Sequence, residues 1–334
     1  MSEAMLGQDP GQAAFSWREY VDTIVAERGS LALAALHLAE RRSFEEDVGS
    51  VERGLRRLRE RGSKDGGVWG ERALRCFGLP AAVADRVRWM GQYHTRFTDL
   101  PASLCEELLR PWDRPPVSES PARIWVLLGR VGLALRRRRD QDVQALLEQA
   151  ALLGNQAEPA AQIELSLVSA YACSRPDPEL ARPQLERARA LLEQHRHALR
   201  EDDYACLFAR WIDHVAYPLN KPRRGAPDHQ QAIALYEQIP ADGPLFARCR
   251  RENGLGWSHL SLGDRARAQT HARASVEAAG DSGSLRMRAM ALNLLAAASE
   301  GEAAERAKAR ARAIARRLED EALLVRFGAE CSTQ

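Results

Sequence analysis

The sequence predicts an all-α protein built in two parts. Apolar residues recur at spacings of three and four along most of the chain, whereas the alternating β-branched runs of strands are missing. The pattern changes at WDRPPVSESP (residues 112–121), because adjacent prolines cannot lie inside a helix. We therefore expect a flexible tail over residues 1–14, an N-terminal helical domain over residues 15–117 and a larger helical domain over residues 121–334.

Composition predicts a cytoplasmic protein. The 334 residues carry a net charge of +2, which argues against bulk binding to polyanions. The six cysteines form no C-x-x-C pair, so neither a disulfide framework nor a zinc knuckle is expected. The start of the chain lacks the pattern of a secretory leader, and no uncharged apolar run is long enough to span a membrane.

The N-terminal domain begins with two predicted helices. SWREYVDTIVAERG predicts a helix that Ser16 caps and Gly29 ends. SLALAALHLAERR predicts a second helix that starts at Ser30.

A third predicted helix, SVERGLRRLRERG, carries five arginines in thirteen residues. Val51, Leu55 and Leu58 form an inward stripe at i, i+4 and i+7. The arginines lie outside that stripe: Arg53, Arg56, Arg57, Arg59 and Arg61. Because arginine is well suited to bidentate contacts with guanine, these side chains are candidates for contact with DNA or with a protein partner.

Three short helices with a basic third helix resemble a helix-turn-helix, which implies that the third helix enters the major groove of DNA. The connector SFEEDVG is longer than the usual turn, however, and would bring Glu45, Glu46 and Asp47 near the phosphates. Residues 1–117 hold 17 Lys or Arg against 18 Asp or Glu, so this part lacks a broad basic footprint. The alternative is a helix whose arginines face solvent or a protein.

The stretch WMGQYHTRFTDLP (residues 89–101) is dense in aromatic and charged residues and has two interpretations. Aromatic and arginine side chains dominate interface hot spots, which favours a docking surface. The alternative places Trp89, Tyr93 and Phe97 on one buried stripe of a helix, at i, i+4 and i+8.

An internal period near 35–45 residues follows the proline-rich stretch. In its clearest copy, NGLGWSHLSLGDRARAQTHARASVEAAG, Gly256 follows Leu255, Gly263 comes seven positions later and Ala268 five positions after that. This spacing resembles the tetratricopeptide repeat, in which two antiparallel helices cross at a small residue, turn at a glycine and meet again at a small residue.

The resemblance covers roughly residues 121–320, or about five repeats. Further copies place the following residues on the same frame: Trp125, Leu128, Gly129 and Ala150; Leu167, Tyr171, Ala181 and Ala188; Tyr217, Ala232, Tyr236 and Pro240; and Gly301. The resemblance implies an α-solenoid of about five helical hairpins, because one hairpin cannot bury its apolar face alone. A plain helical bundle with chance spacing is the alternative.

The resemblance also implies where a partner binds. In tetratricopeptide proteins the first helices line a concave groove, and groove asparagines and arginines often hold an extended peptide. Gly256 and Ala296, placed at the crossing positions, put an asparagine three residues earlier in the groove. The candidate groove residues are Arg250, Asn253, Trp257, Asn293 and Trp211. The alternatives are that these residues face water or that the N-terminal domain fills the groove.

The sequence carries none of the common catalytic or nucleotide-binding motifs, so no catalytic, cofactor or metal site is expected. It predicts a non-enzymatic adaptor or scaffold that binds a protein or peptide partner. The alternative is a transcriptional regulator with a helix-turn-helix-like head, similar to the peptide-sensing regulators of bacteria, which would add nucleic acid as a partner. An enzyme with an unrecognised site is a third hypothesis.

The last predicted helix, EALLVRFGAEC, has two interpretations. The end of a solenoid exposes an apolar face unless a cap covers it. This helix is therefore either such a cap or the contact of a homodimer.

Overall fold

A computed structural model describes residues 15–40, 47–174, 178–222 and 225–328. The expected tail of residues 1–14, together with Glu45 and Glu46, lies outside the described residues. Within these ranges the chain is helical and holds no β-strand, which confirms the all-α class. No described helix has the length and apolar character needed to cross a membrane.

The α-helices of the described ranges, in chain order, are α1 (Trp17–Arg28), α2 (Leu31–Glu40), α3 (Val48–Arg59), α4 (Gly67–Phe77), α5 (Ala81–Gly91), α6 (Ala102–Leu109), α7 (Arg123–Arg136), α8 (Asp140–Leu153), α9 (Pro159–Ser174), α10 (Arg182–Gln194), α11 (Glu201–Asn220), α12 (His229–Tyr236), α13 (Leu245–Ser261), α14 (Arg265–Asp281), α15 (Leu285–Ala298), α16 (Gly301–Arg317) and α17 (Glu321–Arg326). Short 3-10 helices lie between some of them, including one at Arg96–Asp99.

Helices α1 to α4 form a unit with its own core. Trp17 and Tyr20 of α1 pack there with Leu55 and Leu58 of α3. The predicted ends of the first helix are confirmed: Ser16 and Glu19 form a capping box, and the helix ends at Gly29. Leu33 N donates to Ser30 Oγ at 3.1 Å, as expected for the start of the second helix.

A second core begins at α5 and α6, which pack against α7. The contact between α5 and α7 is very close, because a Cβ at Gly91 would lie 2.1 Å from the carbonyl oxygen of Trp125. The predicted N-terminal domain, residues 15–117, therefore spans two hydrophobic cores.

Helices α7 to α16 pack as adjacent pairs: α7 with α8, α9 with α10, α11 with α12, α13 with α14 and α15 with α16. The first helix of each pair also contacts the first helix of the next pair. We call α7, α9, α11, α13 and α15 the leading helices. Their side chains meet in sequence order, so residues far apart in the chain share one face of the array.

The end of the array returns to its beginning. Helix α17 contacts α7, and the guanidinium of Arg136 donates to the carbonyl oxygens of Leu318 and Leu100. Ser103 N, on α6, donates to the Glu319 carboxylate at 2.8 Å. Leu323 of α17 is buried in a core with side chains of α15 and α16, so α17 covers the apolar side of that last pair.

Candidate functional site

Three arginines from three successive leading helices surround one tyrosine. Arg210 lies on α11, Arg250 on α13 and Arg286 on α15. Their guanidinium carbons lie 4.4, 5.5 and 5.2 Å from the ring centroid of Tyr93. Arg250 Nη2 and Arg286 Nη1 also donate to the Tyr93 hydroxyl, at 2.9 and 2.7 Å. One tyrosine from the loop after α5 is therefore held by cations of three helices.

A carboxylate from another element pairs with each arginine. Glu164 of α9 accepts from Arg210, and Asp213 Oδ2 lies 2.7 Å from Arg250 Nη1. Asp320 Oδ2 lies 2.9 Å from Arg286 Nε. These pairs compensate charges that would otherwise be costly to keep away from water.

The arginines change the acidity of the tyrosine that they surround. Burial raises the pKa of Tyr93, but the positive charges of Arg286, Arg250 and Arg210 outweigh that effect and bring the pKa below its ordinary value of 10. The hydroxyl oxygen accepts both arginine hydrogen bonds, which stabilises negative charge on that atom. The site therefore favours an oxygen with anionic character.

Tyr93 belongs to a run of chain that crosses the leading helices, which we call the tyrosine segment (residues 92–99). At its start, Gln92 Nε2 donates to Asp203 Oδ1 on α11 at 2.9 Å. At its end, Asp99 Oδ1 accepts from Ser284 Oγ at 3.1 Å and from Arg286 N at 2.9 Å, at the N-terminus of α15. The segment is thus anchored on α11 and α15, with Tyr93 between the anchors.

Asp203 gathers polar groups at the first anchor. Its carboxylate accepts from Arg88 Nη2 at 2.8 Å and from Arg200 Nε at 2.7 Å, and His94 Nε2 lies 3.2 Å away. Burial raises the pKa of Asp203, but these hydrogen bonds and the charge of Arg88 outweigh it and hold the pKa far below its ordinary value. Asp203 is therefore ionised across the neutral range.

The structure also corrects the helical interpretation of residues 89–101. Helix α5 ends at Gly91, and Gln92 has extended backbone angles, so Trp89, Tyr93 and Phe97 do not form one helical stripe. Trp89 and Phe97 still meet edge to face, with ring centroids 5.2 Å apart. The chain leaves helical geometry at Gln92 and runs from its contact with α11 to its contact at the start of α15.

The predicted groove residues divide into two groups. Arg250 donates a hydrogen bond to the Tyr93 hydroxyl. Asn253 lies one turn further along α13, where its Nδ2 atom is buried and has no hydrogen-bond partner among the described residues. Trp257 and Asn293 are half-buried, and each lies seven residues after an arginine of the site. Trp211 turns away instead: its Nε1 atom donates to the carbonyl oxygen of Leu185 on α10 at 3.0 Å.

Aromatic side chains form a second row two turns beyond the charged one. Tyr171, Tyr217 and Trp257 each lie seven residues after a charged residue of the site. Tyr171 is 42% exposed and Tyr217 is 38% exposed. The guanidinium of Arg326 lies 5.5 Å from the ring of Tyr217, and Lys221 Nζ lies 4.9 Å from the ring of Trp257. This second row is accessible to a ligand.

The tyrosine segment belongs to the predicted N-terminal domain, so these contacts agree with the alternative in which that domain fills the groove. Sequence reasoning did not identify residues 92–99 as the part that does so. It also missed Arg210 and Arg286, which share their role with Arg250. The available signal was spacing: Tyr217, Trp257 and Asn293 each follow an arginine by seven residues, which is two helical turns.

The five arginines of the predicted basic helix are all exposed. Arg56 pairs with Glu52 at 2.5 Å on the same helix, and Arg59 pairs with Asp22 of α1 at 2.7 Å. Arg61 donates to the backbone carbonyl of Asp65. Arg53 and Arg57 complete the exposed side of the helix, opposite the stripe that packs on α1 and α2.

The described ranges contain no group of three His, Cys, Asp or Glu side chains that could hold a metal ion. The charged site consists of arginine and carboxylate pairs around a phenol. Comparison with known proteins found no match to a family model, to a curated protein or to a solved structure.

Proposed function

We propose that this chain is a non-enzymatic adaptor that binds a peptide segment of a protein partner on the face of the leading helices. One observation carries the proposal: this face already holds an eight-residue run of chain, through the tyrosine and carboxylate of residues 92–99. Recognition of that kind requires only donors and acceptors at fixed positions on rigid helices.

The packing supports a tetratricopeptide-like solenoid of five helical hairpins, α7 to α16. In the clearest repeat, a Cβ at Gly256 would lie 2.5 Å from Leu294 Cδ2 of α15 and 3.4 Å from the carbonyl oxygen of Ala268 on α14, so a small residue favours close packing of these helices. Gly263 adopts a φ of +83° in the turn between α13 and α14, a conformation that favours glycine. Ala268 of α14 is fully buried.

The amide of Asn253 is the best candidate for contact with a partner's backbone. An asparagine side chain offers both a donor and an acceptor, as a peptide group does. A buried donor without a partner costs about 1–3 kcal/mol, which a bound carbonyl group would recover. Asn293 lies at the corresponding position of the next hairpin, so two such contacts could be made along one extended peptide.

Affinity capture from the cells that produce the protein, read out by quantitative mass spectrometry, tests the proposal. The baits are the full chain, an Asn253→Ala/Asn293→Ala variant and an Arg306→Ala control on the exposed side of α16. We expect a partner that the full chain and the control enrich equally and that the asparagine variant enriches at least tenfold less. Equal enrichment by all three baits would contradict the proposal.

A second function is supported by the N-terminal unit: a transcriptional regulator in which α1 to α4 bind DNA. Helices α2 and α3 pack together with α1 in a separate core, and α3 exposes Arg53, Arg56 and Arg57 on one side. The spacing i, i+3 and i+4 places these three arginines on one face of α3, and in helix-turn-helix proteins the second helix of the motif presents such a face to the major groove.

A gel shift on genomic fragments from the source cells, at several salt concentrations, tests the second function. DNA binding that weakens with salt and is lost in Arg56→Glu/Arg57→Glu would support a regulator. The matched control is Arg306→Glu/Arg310→Glu, which makes the same charge change on α16. An equal effect of both pairs would indicate nonspecific attraction and contradict a DNA-reading α3.

A further inference from the structure

We propose that the tyrosine segment is an intramolecular stand-in for the partner, and that the partner peptide presents the same two groups: a tyrosine hydroxyl and, six residues later, a carboxylate. This inference rests on the proposed peptide-binding function and specifies the chemistry of its partner. The tyrosine segment must leave the face before such a peptide can bind.

Tyr93 and Asp99 of the tyrosine segment make the contacts of a bound ligand, whereas Phe97 of the same segment packs in the hydrophobic core around α5 to α7. The side chain of Tyr93 is held by polar contacts with Arg250 and Arg286, and the apolar contact of the Tyr93 ring with Phe246 is an edge-to-face pair at 6.2 Å. Asp99 is bound by a hydroxyl and by a backbone N–H at the start of α15. The contacts of Tyr93 and of Asp99 therefore each recognise a functional group and not shape alone.

The arginines make the site selective for tyrosine over phenylalanine. A phenylalanine would keep the contact with Arg210 but would leave one N–H of Arg250 and one of Arg286 without their acceptor. A site built to bond a hydroxyl rejects the analogue that lacks it more strongly than an apolar pocket rejects a missing methylene. We therefore expect discrimination of at least tenfold.

A tethered segment competes strongly with any free peptide. The segment is attached to α5 at one end and to α6 at the other, so its effective concentration at the site is high. A partner gains contacts that the segment does not use, because Asn253 lacks a hydrogen-bond partner and Tyr171 and Tyr217 are exposed. These contacts provide the differential affinity that displacement requires.

The test uses a fluorescent peptide, GQYHTRFTDL, which copies residues 91–100. Its binding to the full wild-type chain and to the Tyr93→Phe/Asp99→Asn chain is followed by fluorescence anisotropy. We expect the substituted chain to bind at least tenfold more tightly, because its own segment has lost the Tyr93 hydroxyl, which accepts from two arginines, and the negative charge of Asp99 at the N-terminus of α15. Peptides with Tyr93→Phe or Asp99→Asn should each bind that chain at least tenfold more weakly than the original peptide.

Variants of the site identify where the peptide binds. Adding Arg250→Gln to the substituted chain should abolish binding, whereas adding Arg306→Gln should leave it unchanged. If the double substitution prevents folding, judged by circular dichroism, the single Asp99→Asn chain replaces it, since that change removes the charge at the anchor on α15 and keeps the tyrosine.

A folded, substituted chain that ignores the tyrosine peptide, or binds the phenylalanine peptide equally well, overturns the inference. The proposed function is judged separately by affinity capture, because that experiment varies Asn253 and Asn293 and leaves the tyrosine segment unchanged. Asparagine-dependent capture without peptide binding would leave the proposed function standing and remove only the stated chemistry of the partner.

Discussion

Arg286 and Tyr93 lie 193 positions apart in the sequence, yet Arg286 Nη1 donates a 2.7 Å hydrogen bond to the Tyr93 hydroxyl. The same arginine pairs with Asp320 through Nε, and its backbone N–H donates to Asp99. One residue at the start of α15 therefore joins the tyrosine segment to the end of the helical array. Loss of the Tyr93 hydroxyl should therefore destabilise the whole helical array.

Tyr93→Phe removes one oxygen and keeps the ring. We expect the free energy of unfolding to fall by about 2–3 kcal/mol, since two charged donors lose their acceptor. Urea titration monitored by circular dichroism measures the change. Tyr171→Phe is the matched control, because Tyr171 is 42% exposed and its substitution should cost less than about 0.5 kcal/mol. Equal effects of the two substitutions would contradict the role assigned to the arginines.

Asp203 should make stability depend on pH. Its carboxyl pKa is lowered in the folded chain, so its contribution is complete above the unfolded pKa of about 3.9 and is lost as the pH falls toward the folded pKa. The difference in unfolding free energy between the wild type and Asp203→Asn should therefore be constant above about pH 5 and shrink as the pH falls to about 3.

Asp202→Asn is the neighbouring control for this pH dependence, because Asp202 is exposed on the same turn of α11. Its difference from the wild type should stay small and nearly constant over the same range. A pH profile of Asp203→Asn parallel to that of the wild type down to about pH 3 would show that the carboxylate does not carry the predicted linkage.

Gly91 sets the distance between α5 and α7. A Cβ there would meet the backbone of Trp125, so Gly91→Ala should destabilise the fold by about 2 kcal/mol or more. Gly132→Ala is the matched control within α7, where an added Cβ meets nothing within 4 Å. That substitution should stabilise the helix by about 0.5–1 kcal/mol. Thermal denaturation of both variants measures the contrast, and a shift of the same sign in both would contradict this packing argument.

Local signals made several features of the fold predictable. Ser16, Gly29 and Ser30 bound their helices as expected, because capping depends on residues a few positions apart. The all-α class followed from spacing that a short window reveals. Arg250 and Asn253 were singled out through the repeat resemblance, which places Gly256 at the crossing position, with Asn253 and Arg250 on the preceding turns of the same helix.

Long-range contacts determine which residues of the N-terminal domain lie on the leading helices, so the tyrosine segment could not be identified from local sequence. The spacing of Trp89, Tyr93 and Phe97 fits a helix, and only the packing of Gly91 on Trp125 and the anchors on α11 and α15 draw the chain away from helical geometry. Arg210 and Arg286 were hidden by composition, since the chain holds 48 Lys or Arg and spacing alone does not tell a buried arginine from an exposed one.

Asp320 connects the last helix of the array to α7 and α15, and its substitution tests the contribution of these buried charges. It is fully buried, pairs with Arg286 Nε at 2.9 Å, lies 3.7 Å from Arg136 Nε and caps α17 through Leu323 N. Asp320→Ala should destabilise the fold by about 3–5 kcal/mol, because it leaves arginine charges buried without their partner.

Asp264→Ala separates the charge effect at Asp320 from simple capping. Asp264 caps α14 in the same way, through Arg267 N at 3.0 Å, but its side chain is 39% exposed. Its loss should cost about 1 kcal/mol, the usual value for an N-cap. Urea titration of both variants gives the difference, which measures the contribution of Asp320 beyond its cap. If the two substitutions lower the free energy of unfolding equally, the ion pair between Asp320 and Arg286 does not stabilise the contact of α17 with α7 and α15. Apolar contacts would then hold the end of the array against its beginning.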